Sequence, residues 1–159
     1  MPLFNLPELL HSLAPGARLL GLDPGARRIG IALSDVNRRI ASPYETIHRA
    51  KLAHNAAEIR AIAEEEGAGG LIVGLPLDDD GKFGPAAQSA RDWAHAISSA
   101  TSLPACMWDE TLTTADLQDV LIHEADMSRK RRAAVIDKMA AARILQMALD
   151  AANQASGGI

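Results

Sequence analysis

The chain of 159 residues has one cysteine, five aromatic side chains and no apolar run approaching the length of a membrane span. With Cys106 alone there is neither an intramolecular disulfide nor a thiolate metal cluster, and its neighbours Ala105 and Met107 suggest a buried strand thiol without a catalytic role. Tyr44, Phe83 and Trp108 are scattered, so no aromatic platform for stacking bases is expected. His11, His48, His54, His95 and His123 show no metal-ligand spacing. No charged-then-apolar leader ends in a small-residue cleavage site, and a soluble cytoplasmic protein without a membrane partner is expected. General basicity is missing too, since the formal charge is −4, which argues against a globally basic nucleic-acid binder. Charge is instead segregated. Glu58, Glu64, Glu65 and Glu66 crowd one stretch, while Arg27, Arg28, Arg38, Arg39 and the run Arg129-Lys130-Arg131-Arg132 supply local positive surface.

Hydrophobic residues make up 48%, enough for one core in a chain of single-domain length. Residues 1–17 carry Pro2, Pro7 and Pro15 among Leu and Phe, and form an extension predicted to lie on the domain as a short turn or helix. Arg18 to Asp23 is a strand with Leu19, Gly21 and Asp23 on one face and Leu20 and Leu22 on the other. A Pro24-Gly25 turn leads into a second strand, Arg28 to Asp35, and a third follows from Ile40 to His48, where Pro43 demands an edge position. Lys51 to Glu66 is helical, with Leu52, Ala56, Ile59 and Ala63 inward and Gly67, Gly69 and Gly70 as the stop. Leu71-Ile72-Val73 reads as an interior parallel strand. Pro85 opens a helix that turns Ala86, Ala90, Trp93, Ala94 and Ile97 inward, and Leu103 to Asp109 is the last strand. Thr113 and Asp116 resemble a capping box for a helix to about Glu124. A final helix spans Arg132 to Ala152, leaving 153–159 as a flexible tail. The expected architecture is α/β: a three-stranded antiparallel meander plus two parallel strands in one mixed five-stranded sheet flanked by helices, all within a single domain over 18–152.

Three acids converge in that arrangement. Asp23 and Glu110 both follow strands at their C-terminal ends, which share one edge of the sheet if right-handed crossovers make those strands parallel. One strand between them would leave their backbones about 10 Å apart. Asp137 has Ala133, Ala134, Ala140, Ala141 and Ile144 at helical spacings, so it rides the apolar stripe of the last helix and faces the sheet. Oxygen-only ligands suit Mg²⁺ or Mn²⁺ over zinc, and two such ions about 4 Å apart can activate a water and stabilise the leaving oxygen of a phosphodiester. Hydrolysis of a nucleic-acid backbone is the chemistry this predicts.

Taken singly, each acid has an ordinary reading. Asp23 in Asp-Pro-Gly is a turn former, Asp109-Glu110 is a solvated strand end that caps a helix, and Asp137 pairs with Arg132, Lys138 or Arg143 if the helical phase shifts by one. Convergence favours the site. The basic run 129–132 is by default a solvated loop or helix start, but its place shortly before Asp137 would let its cations flank the acids and hold phosphate.

These motifs together resemble the YqgF family, also called RuvX, RNase H-like bacterial proteins described as Holliday junction resolvases and as nucleases for the 5′ end of pre-16S rRNA. The resemblance covers roughly Leu19 to Asp150 and rests on six pieces in order. They are Gly21-Leu22-Asp23-Pro24-Gly25 with Arg28-Ile29-Gly30; Ser34-Asp35; Ala41-Ser42-Pro43; Val73-Gly74-Leu75-Pro76-Leu77 with Asp80-Gly81 and Gly84-Pro85; Asp109-Glu110 with Leu112-Thr113-Thr114; and Asp137-Lys138 with Ala140-Ala141 and Ile144-Leu145-Gln146. It implies an RNase H-like fold with the first strand central, and metal-holding catalytic roles for Asp23, Glu110 and Asp137. The family usually has Arg directly after the Asp-Glu pair, where this chain has Thr111. If that Arg contacts phosphate, this chain should bind substrate more weakly or rely on Arg28 or on Arg129 to Arg132; the residues expected at nucleic acid are Arg28, Arg129, Lys130, Arg131, Arg132 and Lys138.

Four functions compete at this point. The first is a metal-dependent endonuclease in 5′-end processing of pre-16S rRNA during ribosome biogenesis, acting on RNA alone or on ribosomal particles. The second is resolution of four-way DNA, which favours a dimer with two sites, although no clear dimer interface is visible and a monomer or weak homodimer is expected. An actin-like or sugar-kinase ATPase opens with a similar hairpin but needs two lobes, and this chain has length for one. A non-catalytic RNA-binding assembly factor is the fourth.

Overall fold

The computed structural model describes residues 3–76, 84–109 and 129–157, the side chains of Lys130 and of residues 155–157 apart. Its sheet is built from β1 (Arg18–Pro24), β2 (Arg28–Ser34), β3 (Ala41–His48), β4 (Ala68–Leu75) and β5 (Ala105–Asp109) in the order β3-β2-β1-β4-β5. The first three strands pair antiparallel, while β1–β4 and β4–β5 pair parallel. This is the expected meander with two crossovers, with β1 central and Pro43 on an edge strand. Helices α1 (Leu6–Ser12), α2 (Leu52–Glu66), α3 (Pro85–Thr101) and α4 (Arg129–Gly157) cover it.

Period-two alternation divides the strands between two cores. Leu20, Leu22, Ile29, Ile31, Leu71 and Val73 face α2 and α3, where Ile59, Trp93 and Ile97 meet them. Leu19, Ala32, Ile72 and Cys106 face α4, packing with Ala141, Ile144, Leu145 and Ala148. Burial pushes the Cys106 thiol up to about 11, so it stays protonated at neutral pH. The predicted faces of β1 are those observed.

Several local expectations are corrected. β4 begins at Ala68, so Gly69 and Gly70 lie inside the strand instead of ending the helix before it. They lie under close packing: the Leu9 side chain of α1 and the Leu19 side chain of β1 stand 3.0 and 3.1 Å from where a β-carbon of Gly70 would be, so a larger residue there would push these leucines aside. The helix stop falls to Gly67 alone, in the left-handed conformation at the C-cap. Leu52 is exposed at 37%, and Asn55, not counted among inward residues, is fully buried. Asn55 takes the Ala50 N–H at 2.8 Å and donates to the His48 carbonyl at 3.0 Å, stitching the end of β3 to α2. In α3 the inward residue of the first turn is Ala87, not Ala86. β5 starts at Ala105, and the Pro104 carbonyl just before it accepts the Leu71 N–H at 2.9 Å. α4 starts earlier than predicted, at Arg129, and reaches Gly157. The helix expected over 113–124 lies outside the described residues.

The extension forms a true helix. Asn5 and Glu8 make a reciprocal capping box, with bonds of 2.9 and 3.0 Å. Leu9 is buried beneath α4, and the Phe4 N–H bonds the Ala105 carbonyl at 2.9 Å beside β5.

Candidate active site

Asp23 stands near the C-terminal end of β1, paired across the antiparallel ladder with Gly30. Leu19 on the same strand packs beneath α4, so alternation sets Asp23 on the side of the sheet that α4 covers. A β-carbon on Gly30 would run into the main-chain carbonyl of Asp137. Glycine there lets the helix backbone settle onto the sheet, and this brings Asp137 over the residue paired with Asp23.

Side-chain hooks hold α4 in that place. Thr46, the β3 partner of Gly30, donates its hydroxyl to the Ala134 carbonyl at 2.5 Å. Further along, Gln146 accepts the Ala41 N–H at 2.8 Å and donates to the Arg39 carbonyl at 2.8 Å. The Asp137 carboxylate itself meets Arg28, which precedes Gly30 by two on the same face of β2. Arg28 Nε donates to Asp137 Oδ2 at 2.6 Å, with 33% and 24% of the two side chains exposed. The pairing with Arg132, Lys138 or Arg143 considered from the sequence is therefore replaced by one with a strand residue.

Asp23, Asp137 and Arg28 are thus brought to one end of one sheet face. Glu110 lies outside the described residues, directly after Asp109, the last residue of β5. β4 lies between β1 and β5, the single intervening strand that was expected. Arg129 and Arg131 are exposed at the start of α4, and Arg132 and Lys138 are half-buried. Among the described residues no group of three His, Cys, Asp or Glu could hold a metal ion. The two acids on this end of the sheet offer carboxylate oxygens, a chemistry that fits a hard divalent cation and not zinc.

Gly30, Thr46 and Gln146 place the site without being legible as site residues; the only sequence signal is glycine in an otherwise apolar strand. Arg49 is a second case. It donates Nη1 to the Gly25 carbonyl at 2.8 Å, with its guanidinium carbon 5.7 Å from the Trp93 ring centroid. With Pro24, Pro76 and Ser89 it lines a cleft of 250 Å³ at the same sheet end, on the α3 side. Nothing in sequence distinguishes it from a surface cation.

Known proteins complete the picture. A protein of Gluconacetobacter diazotrophicus named "Putative pre-16S rRNA nuclease" is 56% identical over 151 residues, 95% of this chain and 98% of its own. One of the same name from Acidiphilium cryptum is 56% identical over 154 residues, 97% of each chain. Among solved structures, Thermus thermophilus RuvC in complex with Holliday junction substrate superposes with a TM-score of 0.51 at 14% identity, covering 86% of this chain and 95% of that one. The fowlpox virus resolvase with Holliday junction DNA gives 0.51 at 9% identity, covering 83% and 98%. At such identities these two show the fold alone, the RNase H-like one expected. Residues 17–151 match the family model described as "RuvX: Holliday junction resolvase", and the chain belongs to the RuvX family.

Proposed function

We propose that this protein is a metal-dependent endonuclease that hydrolyses phosphodiester bonds in 5′-end processing of pre-16S rRNA, during ribosome biogenesis. The observation that carries this reading is the approach of Asp137 to the strand pair of Asp23 and Gly30, two carboxylates from distant parts of the chain at the C-terminal end of a central strand. The names of relatives 56% identical over nearly their full length support the substrate.

Asp23, Asp137 and Glu110 would hold Mg²⁺ or Mn²⁺. Cys106 and Trp108 of β5, the strand that Glu110 follows in sequence, pack on the α4 side. When bound, such ions lower the pKa of a water and stabilise the leaving oxygen. The protein's own part is to hold carboxylates at fixed positions, Asp23 by the sheet ladder and Asp137 by the seating of α4 on Gly30. Arg129, Lys130, Arg131, Arg132 and Lys138, on the same helix as Asp137, would carry backbone phosphates past the acids. Residues 18–152 would form the nuclease domain and act as a monomer or weak homodimer in the cytoplasm, on free pre-rRNA or on ribosomal particles.

The family description favours four-way DNA as the second reading. One experiment separates them: cleavage of a 5′-labelled pre-16S leader and of a four-way junction, each with Mg²⁺, Mn²⁺ or chelator. Metal-dependent RNA cleavage that falls to background in Asp23→Asn, Asp137→Asn and Glu110→Gln is expected, with all three variants folded. Junction cleavage alone moves the assignment to a resolvase. Undiminished cleavage by all three variants overturns the site.

A further inference from the structure

Arg28, expected among the residues that touch nucleic acid, has a protein partner of its own. Its inner nitrogen Nε lies 2.6 Å from Asp137 Oδ2, which makes a charge-assisted bond between β2 and α4. The pair is partly shielded, at 33% and 24% exposure, so solvent screens it less than a surface ion pair. An arginine so engaged shares its charge with the carboxylate it touches. A cation approaching Asp137 meets a carboxylate whose charge is already shared.

We propose that Arg28 is a positioning residue: an internal counter-cation that fixes the Asp137 carboxylate against β2 and sets how tightly the site takes up a divalent ion. This rests on the reading of Asp23 and Asp137 as metal ligands. Two effects of opposite sign follow from one ion pair. The guanidinium weakens ion uptake by repulsion, and it strengthens catalysis by holding the carboxylate in one orientation.

The test is a Mn²⁺ titration, followed by electron paramagnetic resonance of free Mn²⁺ and by calorimetry, on wild type, Arg28→Gln, Arg28→Lys and Asp23→Asn. Urea unfolding runs alongside, as do cleavage kinetics on the labelled leader. Arg28→Gln is expected to bind Mn²⁺ about fivefold more tightly, since it removes one partly exposed positive charge from beside the ion. Its kcat should fall while KM for RNA and the salt dependence of RNA binding stay at wild-type values. Arg28→Lys keeps the charge and should keep the wild-type Mn²⁺ affinity, with part of the cleavage restored. Unchanged or weaker Mn²⁺ binding by a folded Arg28→Gln overturns the proposal, as does a raised KM with a flattened salt slope, which would make Arg28 a phosphate contact. If Arg28→Gln does not fold, Arg28→Lys decides: a severalfold change in its Mn²⁺ affinity overturns the role as counter-cation. A wild type that binds no more Mn²⁺ than Asp23→Asn removes the metal site itself, an outcome distinct from Mn²⁺ uptake that Arg28 does not influence.

Discussion

Asp23 and Gly30 are partners across the β1–β2 ladder, and the space that Gly30 leaves open on the α4 side is filled by the backbone of Asp137. The position of the second acid is therefore set by the side chain that the partner of the first acid lacks.

Gly30→Ala tests this directly. Its methyl would meet a helix carbonyl, which cannot rotate away as a side chain end can, so α4 must lift. A loss of about 3 kcal/mol in urea unfolding is expected, the upper end of ordinary overpacking. Cleavage should fall further than stability alone accounts for, measured at a temperature where the variant remains folded.

The β2–β3 turn carries an acid-sensitive contact. Asp35 Oδ1 accepts the N–H groups of Arg39 and Ile40 at 2.8 and 3.0 Å, and these bonds hold its carboxyl below the usual 3.8. A carboxyl lowered on folding stabilises the native state above its unfolded pKa, and that stabilisation is lost as pH falls through the folded value. Asp35→Ala should cost about 1 kcal/mol at pH 7, limited by solvent screening, and the gap from wild type should close below pH 4. Urea midpoints across pH 3 to 7 measure it.

Cys106 provides a probe of the core under α4. A buried thiol raised to about 11 presents almost no thiolate at neutral pH, so iodoacetamide should label the native protein only as fast as it opens. Labelling rates that rise with urea in step with unfolding are expected. Fast labelling without urea would mean that α4 does not cover β5 in solution.

The basic start of α4 is tested by replacing Arg129, Lys130, Arg131 and Arg132 with Gln. RNA binding should weaken and its dependence on salt should flatten, by about 0.7 in slope for each single-strand phosphate that the variant no longer neutralises. An unchanged slope removes the run from the interface.

Strand faces were legible because both cores obey period two, and β1, with its acid, fell out correctly. The place of Asp137 on its helix was legible from a different period, since alanines and Ile144 at helical spacing mark the stripe on which it rides. What escaped had a polar or tertiary cause. Asn55 is buried because it satisfies main-chain groups at a strand end, which a count of apolar residues does not see. Gly69 and Gly70 look like a helix stop until α1 is laid over them. The pairing of Arg28 with Asp137 joins residues remote in sequence, and no local pattern announces it. Glu110 and the 113–124 helix lie outside the described residues.

The hooks at Ala134 and Gln146 are about 18 Å apart along the helix axis, and Asp137 sits inside that interval. They work as two clamps on a ruler. Strain applied at either end of α4, by phosphates drawn to its basic start or by a fusion attached beyond Gly157, is taken up by the clamps before it reaches the carboxylate. Asp137 is thereby insulated from what pulls at the helix ends, and its carboxylate moves only with a slip between Thr46 and Gln146.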